Sequence, residues 1–395
     1  MCPIAQPQKE LNMLSSSEAR PPGAASDQVH FGLEGVIVAD TRLSDVDGKQ
    51  GRLTIAGFSL ERLVETHSFE GVVSLLLGGH APTPSESERV RGLLGQARLR
   101  AHAWLSARHA LLSSLDCMVT LRAVLAAYDA PLLDSAASLD AALELTALTG
   151  VATAHWVRAR LGAAPLEPDP SLGHASDLLR LMQDVRPSER AARALDVYLM
   201  TVSDHGMNAS TFTARVVAST GSDLVSAVTA AVGALKGPLH GGAPGPVLDM
   251  LEAIGTASAA ASWLERELAA GRRIMGMGHR VYRVRDPRAQ VLENALRTLA
   301  SEDPNVDARI ALARAVETQA ERLLSARSRG RALKANVEFF TAVLLDGLHV
   351  PRHAFSGVFA AGRMAGWCAH FYEQQAANRL VRPSSRYVGK PPTDA

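Results

Sequence analysis

Ser188-Glu189-Arg190-Ala191-Ala192-Arg193-Ala194-Leu195-Asp196-Val197-Tyr198-Leu199-Met200-Thr201-Val202-Ser203-Asp204-His205 is the stretch from which the fold class is read. Ala191, Leu195, Tyr198, Leu199 and Val202 recur at three- and four-residue spacing, the period of a helix with one buried stripe. Ser188 stands where an N-cap hydroxyl is needed, and Arg190, Arg193 and Asp196 occupy the opposite face. His205 falls in line with Tyr198 and Val202, so it is expected to continue the inward stripe.

The same grammar extends in both directions. From Ser59 onward the pattern is helical, broken by Gly95, Gly150, Gly162, Pro187, Gly237-Pro238, Pro287, Pro304 and Pro351. Strand-like runs are scarce and aromatic residues make up only 5%, so an all-α fold of many tightly packed helices is predicted. The helix expected from Ser222 to Lys236 carries mostly small side chains, which allow close crossing and suit an interior or subunit-interface position. The β signal lies upstream. Val36-Ile37-Val38 and Leu53-Thr54-Ile55 flank a turn-rich stretch with Asp47-Gly48, which reads as a short N-terminal hairpin. Residues 1–28 lack periodicity and are expected to form a disordered tail. They contain no apolar signal-peptide core, and Glu10, Glu18 and Asp27 weigh against a transit peptide.

Composition narrows the partner. The 395 residues hold 41 Lys plus Arg against 40 Asp plus Glu, so no basic field points to nucleic acid or an anionic membrane. A small-molecule ligand is expected. Hydrophobic residues at 47% and charged residues at 21% are ordinary for a globular chain, and no uncharged apolar run is long enough to cross a bilayer. Cys2, Cys117 and Cys368 are isolated thiols without metal-ligand spacing. They exclude a disulfide framework and a cysteine zinc site, fit a reducing compartment, and make the cytoplasm the expected location.

Three segments carry chemistry: Gly237-Pro238-Leu239-His240-Gly241-Gly242-Ala243, Gly276-Met277-Gly278-His279-Arg280-Val281-Tyr282 and Asn336-Val337-Glu338-Phe339-Phe340. Each sets one proton-handling side chain beside glycine or small residues, where backbone can approach a ligand closely. Singly they are weak. A histidine in a Gly-rich turn is more often structural than catalytic. Gly276 to Gly278 lack the strand-to-helix setting of a phosphate loop, and Arg280, Arg283, Arg285 and Arg288 also read as a solvated basic face. Glu338, among Val337, Phe339 and Phe340, is costly to bury unpaired. It is either a base with a raised pKa or a carboxylate tied to an arginine for structure.

Taken in order, these segments resemble the citrate synthase family. Ser203-Asp204-His205-Gly206-Met207-Asn208-Ala209-Ser210-Thr211-Phe212 is similar to the family's helix ending in an oxaloacetate-binding histidine. Gly32-Leu33-Glu34-Gly35-Val36, Asp286-Pro287-Arg288, Gly362-Arg363-Met364-Ala365-Gly366-Trp367 and Arg382-Pro383 resemble further family segments. The likeness runs from about Phe31 to Gly389.

The resemblance implies a two-domain, nearly all-α homodimer. Residues 29–240 and 346–395 would form a large helical domain and residues 241–345 a small one that closes over the substrates. It implies Glu338 as the base that removes a methyl proton from acetyl-CoA and His240 as the donor to the thioester oxygen. His279 would polarise the oxaloacetate ketone. His205, Arg288, Arg363 and Arg382 would bind oxaloacetate, with Arg382 coming from the other subunit. Gly276, Met277, Gly278 and Arg283 would contact CoA, a co-substrate; no permanent cofactor or metal is implied. The arginine fork matches a carboxylate with two parallel hydrogen bonds.

Two departures stand out. The family usually has Asp where this chain has Glu338, which adds about 1.5 Å of reach. Pro244-Gly245-Pro246 replaces residues such as Asn-Glu, and proline suits only the first helical turn. Three readings follow: a citrate synthase, a 2-methylcitrate synthase using propionyl-CoA, or a catalytically quiet paralogue that binds CoA or citrate.

Overall fold

The computed structural model describes residues 29–108, 116–129, 138–241, 244–279, 281–327 and 333–390. The expected tail over residues 1–28 and Arg280 lie outside the described residues. Past a small sheet the chain is a succession of helices: α1 Leu60–Thr66, α2 Phe69–Gly78, α3 Pro84–Ser106, α4 Cys117–Ala127, α5 Ser138–Arg160, α6 His174–Gln183, α7 Glu189–Val202 and α8 Ala209–Ala218. They continue as α9 Leu224–Leu235, α10 Pro244–Ile254, α11 Ala260–Ala269, α12 Pro287–Ala300, α13 Pro304–Arg327, α14 Val337–Gly347 and α15 Phe355–Ala377. The all-α reading therefore holds.

Short polar side chains start these helices, because the first turn leaves backbone N–H groups without partners. The Ser188 hydroxyl accepts from Ala191 N–H as the sequence requires. Ser59, Thr83, Asn208, Asp223, Asp286 and Asn336 cap their helices in the same way. The helix α7 stops at Val202 rather than running on to His205, which sits in the following turn.

The sheet is three-stranded and antiparallel, in the order β1 Ser44–Asp47, β2 Arg52–Ile55, β3 Phe58–Ser59. Leu53–Ile55 is a strand as expected, but its partner is Ser44–Asp47 and not Val36–Val38. Asp47 decides this. Its Oδ1 accepts from Lys49 and Gln50 N–H at 3.0 and 2.9 Å, closing the turn, while Leu43, Leu53 and Ile55 supply the buried face. The apolar trio at 36–38 is left exposed, with Ile37 88% accessible.

Two compact units divide the chain. One consists, among the described residues, of 29–40 together with 382–390; Phe31, Ile37, Tyr387 and Val388 are exposed in it. The other, Thr41–Val381, holds the helices. Within it α15 packs on α2, α4, α5, α7, α8 and α9, α12 packs on α7, α13 and α14, and α10 on α14. The helix α7 thus touches both groups. Its C-terminal end lies against α15 closely enough that a Cβ on Gly366 would sit 2.1 Å from Ser203 O, and one on Gly362 2.6 Å from Val202 Cγ2. Only glycine permits that approach, and it brings the turn after α7 up to Arg363.

Candidate active site

Four helix ends meet here. Ser210, Arg288 and Glu338 are each the second residue of their helices, α8, α12 and α14, and His205 lies just beyond the end of α7. Helix N-termini carry partial positive charge, so their presence around one point favours an anionic ligand. Asp286 ties two of them together: Oδ1 accepts from Arg288 N–H at 3.0 Å and Oδ2 from Val337 N–H at 3.2 Å.

Arg288 is buried and clamped to the same carboxylate, Nε to Oδ1 at 3.0 Å and Nη2 to Oδ2 at 2.7 Å. Arg363 is 1% exposed, donates from Nε to Val202 O and stacks over Phe359 at 4.9 Å. Burial pushes its pKa down to about 10, which still leaves it charged at neutral pH. Both guanidinium groups are therefore fixed cations in a dry setting, where charge acts strongly.

The three histidines are neutral at pH 7. Burial, reinforced by Arg288 and Arg363, holds His205 well below the usual imidazole range; burial with Arg363 and Arg288 takes His240 to about 4. Burial with Arg288 takes His279 to about 4, against a smaller opposing pull from Asp286. They serve as hydrogen-bond groups and not as counter-charges.

Their partners assign the protons. His279 Nδ1 accepts from the N–H groups of Val281 and Tyr282 at 3.0 and 3.1 Å, so Nε2 carries the hydrogen. That Nε2–H lies 3.4 Å from Arg288 Nη2, and two donors converging in this way invite an acceptor oxygen between them. His240 Nε2 accepts from Ser210 N–H at 3.3 Å and lies 2.8 Å from the Ser210 hydroxyl, which leaves Nδ1–H to donate elsewhere. His205 stands edge-on to His279, ring centres 5.5 Å apart, and its Nε2 meets the Tyr282 hydroxyl at 3.2 Å.

Glu338 is 8% exposed, and its Oε2 has no hydrogen-bond partner among the described residues. Its own N–H is given to the Asn336 cap at 3.0 Å. Burial raises the carboxyl pKa to about 7; Arg288 and Arg363 oppose the rise and Asp286 adds to it. A carboxylate at that pKa, held but not satisfied, is a competent general base at neutral pH.

The glycine segment is tied by its backbone to the residues before α14. Met277 pairs with Ala335 across an isolated bridge, Gly278 N–H donates to Lys334 O at 2.7 Å, and Asn336 N–H donates to Gly276 O at 2.9 Å. Gly276 has φ 72°, and a Cβ there would press Phe339 at 2.9 Å. The bridge is what carries His279 alongside the start of α14. Arg283 is exposed and gives its N–H to Gly48 O at 2.8 Å. Arg382 is exposed and belongs to the unit of residues 29–40 and 382–390.

Comparison with known proteins decides the family. A model of the citrate synthase C-terminal domain matches residues 32–384. The citrate synthase of Haloferax volcanii is 35% identical over 93% of this chain and 98% of its own length. A putative citrate synthase 2 of Mycobacterium tuberculosis is 38% identical over 91% and 93%. The chain belongs to the citrate synthase family.

The crystal structure of citrate synthase from Pyrobaculum aerophilum superposes with a TM-score of 0.83 at 31% identity, over 96% of this chain and 99% of that one. A ternary complex of carboxymethyl coenzyme A and oxaloacetate with the Thermoplasma acidophilum citrate synthase gives 0.83 at 26% identity, over 93% and 98%.

Against this citrate synthase fold the departures can be placed. Pro244 opens α10 and Pro246 lies in its first turn, so neither breaks the helix. They do remove two backbone N–H groups from that helix start. Several contributors had no assigned role in the sequence reading: Asp286, Ser210, Tyr282, Asn336 and Asp204. Asp286 before Pro287 is a legible N-cap signal. Ser210 and Tyr282 show nothing locally that marks them. Among the described residues no group of three His, Cys, Asp or Glu is placed to hold a metal ion, and no helix is long and apolar enough to cross a membrane.

Proposed function

We propose that the chain condenses acetyl-CoA with oxaloacetate and hydrolyses the resulting thioester to citrate and CoA. The observation that carries the reading is Glu338: a buried carboxylate with an unpartnered oxygen and a pKa near 7, among two fixed arginines and two neutral histidines with assigned donors. Glu338 takes a proton from the acetyl methyl group. His240 Nδ1–H donates to the thioester oxygen as the enolate charge develops there, a contribution on the order of 3 kcal/mol for one such donor. The enolate carbon attacks the oxaloacetate ketone carbon, and His279 Nε2–H donates to the oxygen that becomes alkoxide. Water then cleaves the thioester and frees the CoA thiol.

Arg288 and Arg363, with His205, bind the oxaloacetate carboxylates. Arg382 from the partner subunit of a homodimer completes that set, while Gly276, Met277, Gly278 and Arg283 line the path of CoA. Residues 241–345 form the small domain, which closes on residues 29–240 and 346–395. The three isolated thiols support a cytoplasmic location.

The test is thiol release from purified protein given oxaloacetate with acetyl-CoA or with propionyl-CoA. The kcat/KM is expected to favour acetyl-CoA; a methylene-sized difference in an apolar pocket is worth about 1–3 kcal/mol. Preference for propionyl-CoA makes the chain a 2-methylcitrate synthase. Silence with both, together with measurable CoA binding, makes it a quiet paralogue.

A further inference from the structure

The turn that presents His205 is built from parts far apart in the chain. Asp204 is fully buried immediately before it. Its carboxylate accepts from the Ser44 hydroxyl at 2.5 Å and meets His370 Nε2 at 3.1 and 3.2 Å. On the other side of His205, Gly206 N–H donates to the same Ser44 oxygen at 2.7 Å, with Gly206 at φ 57°. The two neighbours of His205 are thus fastened to one hydroxyl on β1. His370, also fully buried, is held in turn: Arg215 Nη1 donates to its Nδ1 at 2.8 Å, which places the ring hydrogen on Nε2, facing Asp204. Arg215 is anchored by Glu373 at 2.6 Å and by Gln374 at 3.0 Å.

Among the described residues no hydrogen bond joins Ser44, Asp204 or His370 to His279, Arg288 or Glu338, yet each removes a freedom from His205. A helix end would ordinarily leave the following turn free to move. Here α7 ends at Val202, and two elements seize the next four residues: α15 through His370 and the glycine contact at Ser203, and β1 through Ser44. The same ribbon reaches the His279 loop, where Gly48 O accepts from Arg283 N–H and a Cβ on Gly48 would overlap Val281 O at 2.3 Å. The β1–β2 ribbon therefore spans both histidine loops.

We propose that Ser44, Asp204 and His370 form a positioning triad that fixes His205 for recognition of an oxaloacetate carboxylate. The proposal rests on the condensation reading above and extends it to groups outside the site. A buried network of this kind earns its place only if the turn it holds must be rigid before ligand arrives.

Three variants test it, with Ser44→Ala as the mild one because Ser44 is only half-buried. In Ser44→Ala and in His370→Leu the KM for oxaloacetate should rise about tenfold while kcat and the KM for acetyl-CoA stay within about threefold, the signature of lost ligand positioning. His370→Gln should recover most of the affinity, because the amide can both donate to Asp204 and accept from Arg215. Amide hydrogen exchange gives a readout independent of turnover: Gly206 should exchange about tenfold faster in Ser44→Ala, with α12 and α14 unchanged. An unchanged oxaloacetate KM in Ser44→Ala, or equal losses for both substrates, overturns the triad. So does His370→Gln behaving like His370→Leu. If instead wild-type protein releases no thiol, the condensation reading has failed, and Gly206 exchange still reports whether the clamp exists.

Discussion

Asp204 and Glu338 are both carboxylates with little exposure, both lie in the field of Arg363, and they end up with opposite chemistry. Burial pushes each upward. At Asp204 contact with His370, the charge of Arg363 and the Ser44 hydroxyl outweigh burial and hold the pKa below the usual carboxylate range. At Glu338 no hydrogen bond from the described residues satisfies Oε2, Arg288 and Arg363 only moderate the effect, and the group rests near 7. Depth therefore does not separate structural from reactive acids. What separates them is whether the protein spends donors on the charged form.

The contrast breaks first at turnover. Glu338→Gln keeps the shape and removes the base, so kcat should fall about a thousandfold, within the range for one positioned proton acceptor. Oxaloacetate affinity, measured by calorimetry, should stay nearly constant. Because only ionised Glu338 accepts a proton, wild-type kcat/KM for acetyl-CoA should climb as pH rises through about 7, and the residual rate of the variant should not. A variant retaining a tenth of the activity would move the base elsewhere and leave Glu338 as one more structural acid.

Stability supplies the next separation, and its sign is unusual. A folded pKa of about 7, above the ordinary value of 4.5, means that the folded state favours the protonated form. The associated stability is fully present below about 4.5 and is lost as pH rises through 7. Glutamine imitates the protonated acid and escapes that loss. Denaturant unfolding should show the stability of Glu338→Gln relative to wild type improving on the order of 2 kcal/mol between pH 5 and pH 8. A difference that stays flat with pH would mean that Glu338 is not held near neutrality.

How much of this was legible depended on the reach of each interaction. Helix class followed from local period, and Ser188 announced its cap, because capping acts within three residues. The acidic and histidine segments were visible because glycine or apolar neighbours beside a titratable group are themselves local. The strand partner was misread: Val36–Val38 has the stronger β propensity, but Asp47 closes a turn that selects Ser44–Asp47. His205 was expected on a helix stripe, yet α7 ends at Val202 and bonds spanning about 160 residues aim the ring. Ser44, Tyr282 and His370 carry no pattern of their own. Their roles come from tertiary placement alone.

Asp204→Asn offers the smaller and opposite test. Since its folded pKa is depressed, Asp204 contributes stability above the unfolded carboxylate value, and that contribution disappears as pH falls through the folded one. The asparagine keeps a hydrogen-bond acceptor for His370 but loses the charge, so unfolding at pH 7 should reveal a loss of roughly 1.5 kcal/mol, typical of hydrogen bonds to an ionised group. The deficit should shrink toward zero below about pH 4, where an unfolded-state aspartate is itself mostly protonated. Two amide substitutions in neighbouring buried sites would then push stability in opposite directions at pH 8. If Asp204→Asn instead stabilised the fold as Glu338→Gln is expected to, donors from Ser44 and His370 would not be what keeps that charge buried, and the distinction between the two acids would have to be sought in Arg363, which they share, and in Arg288, which acts on Glu338.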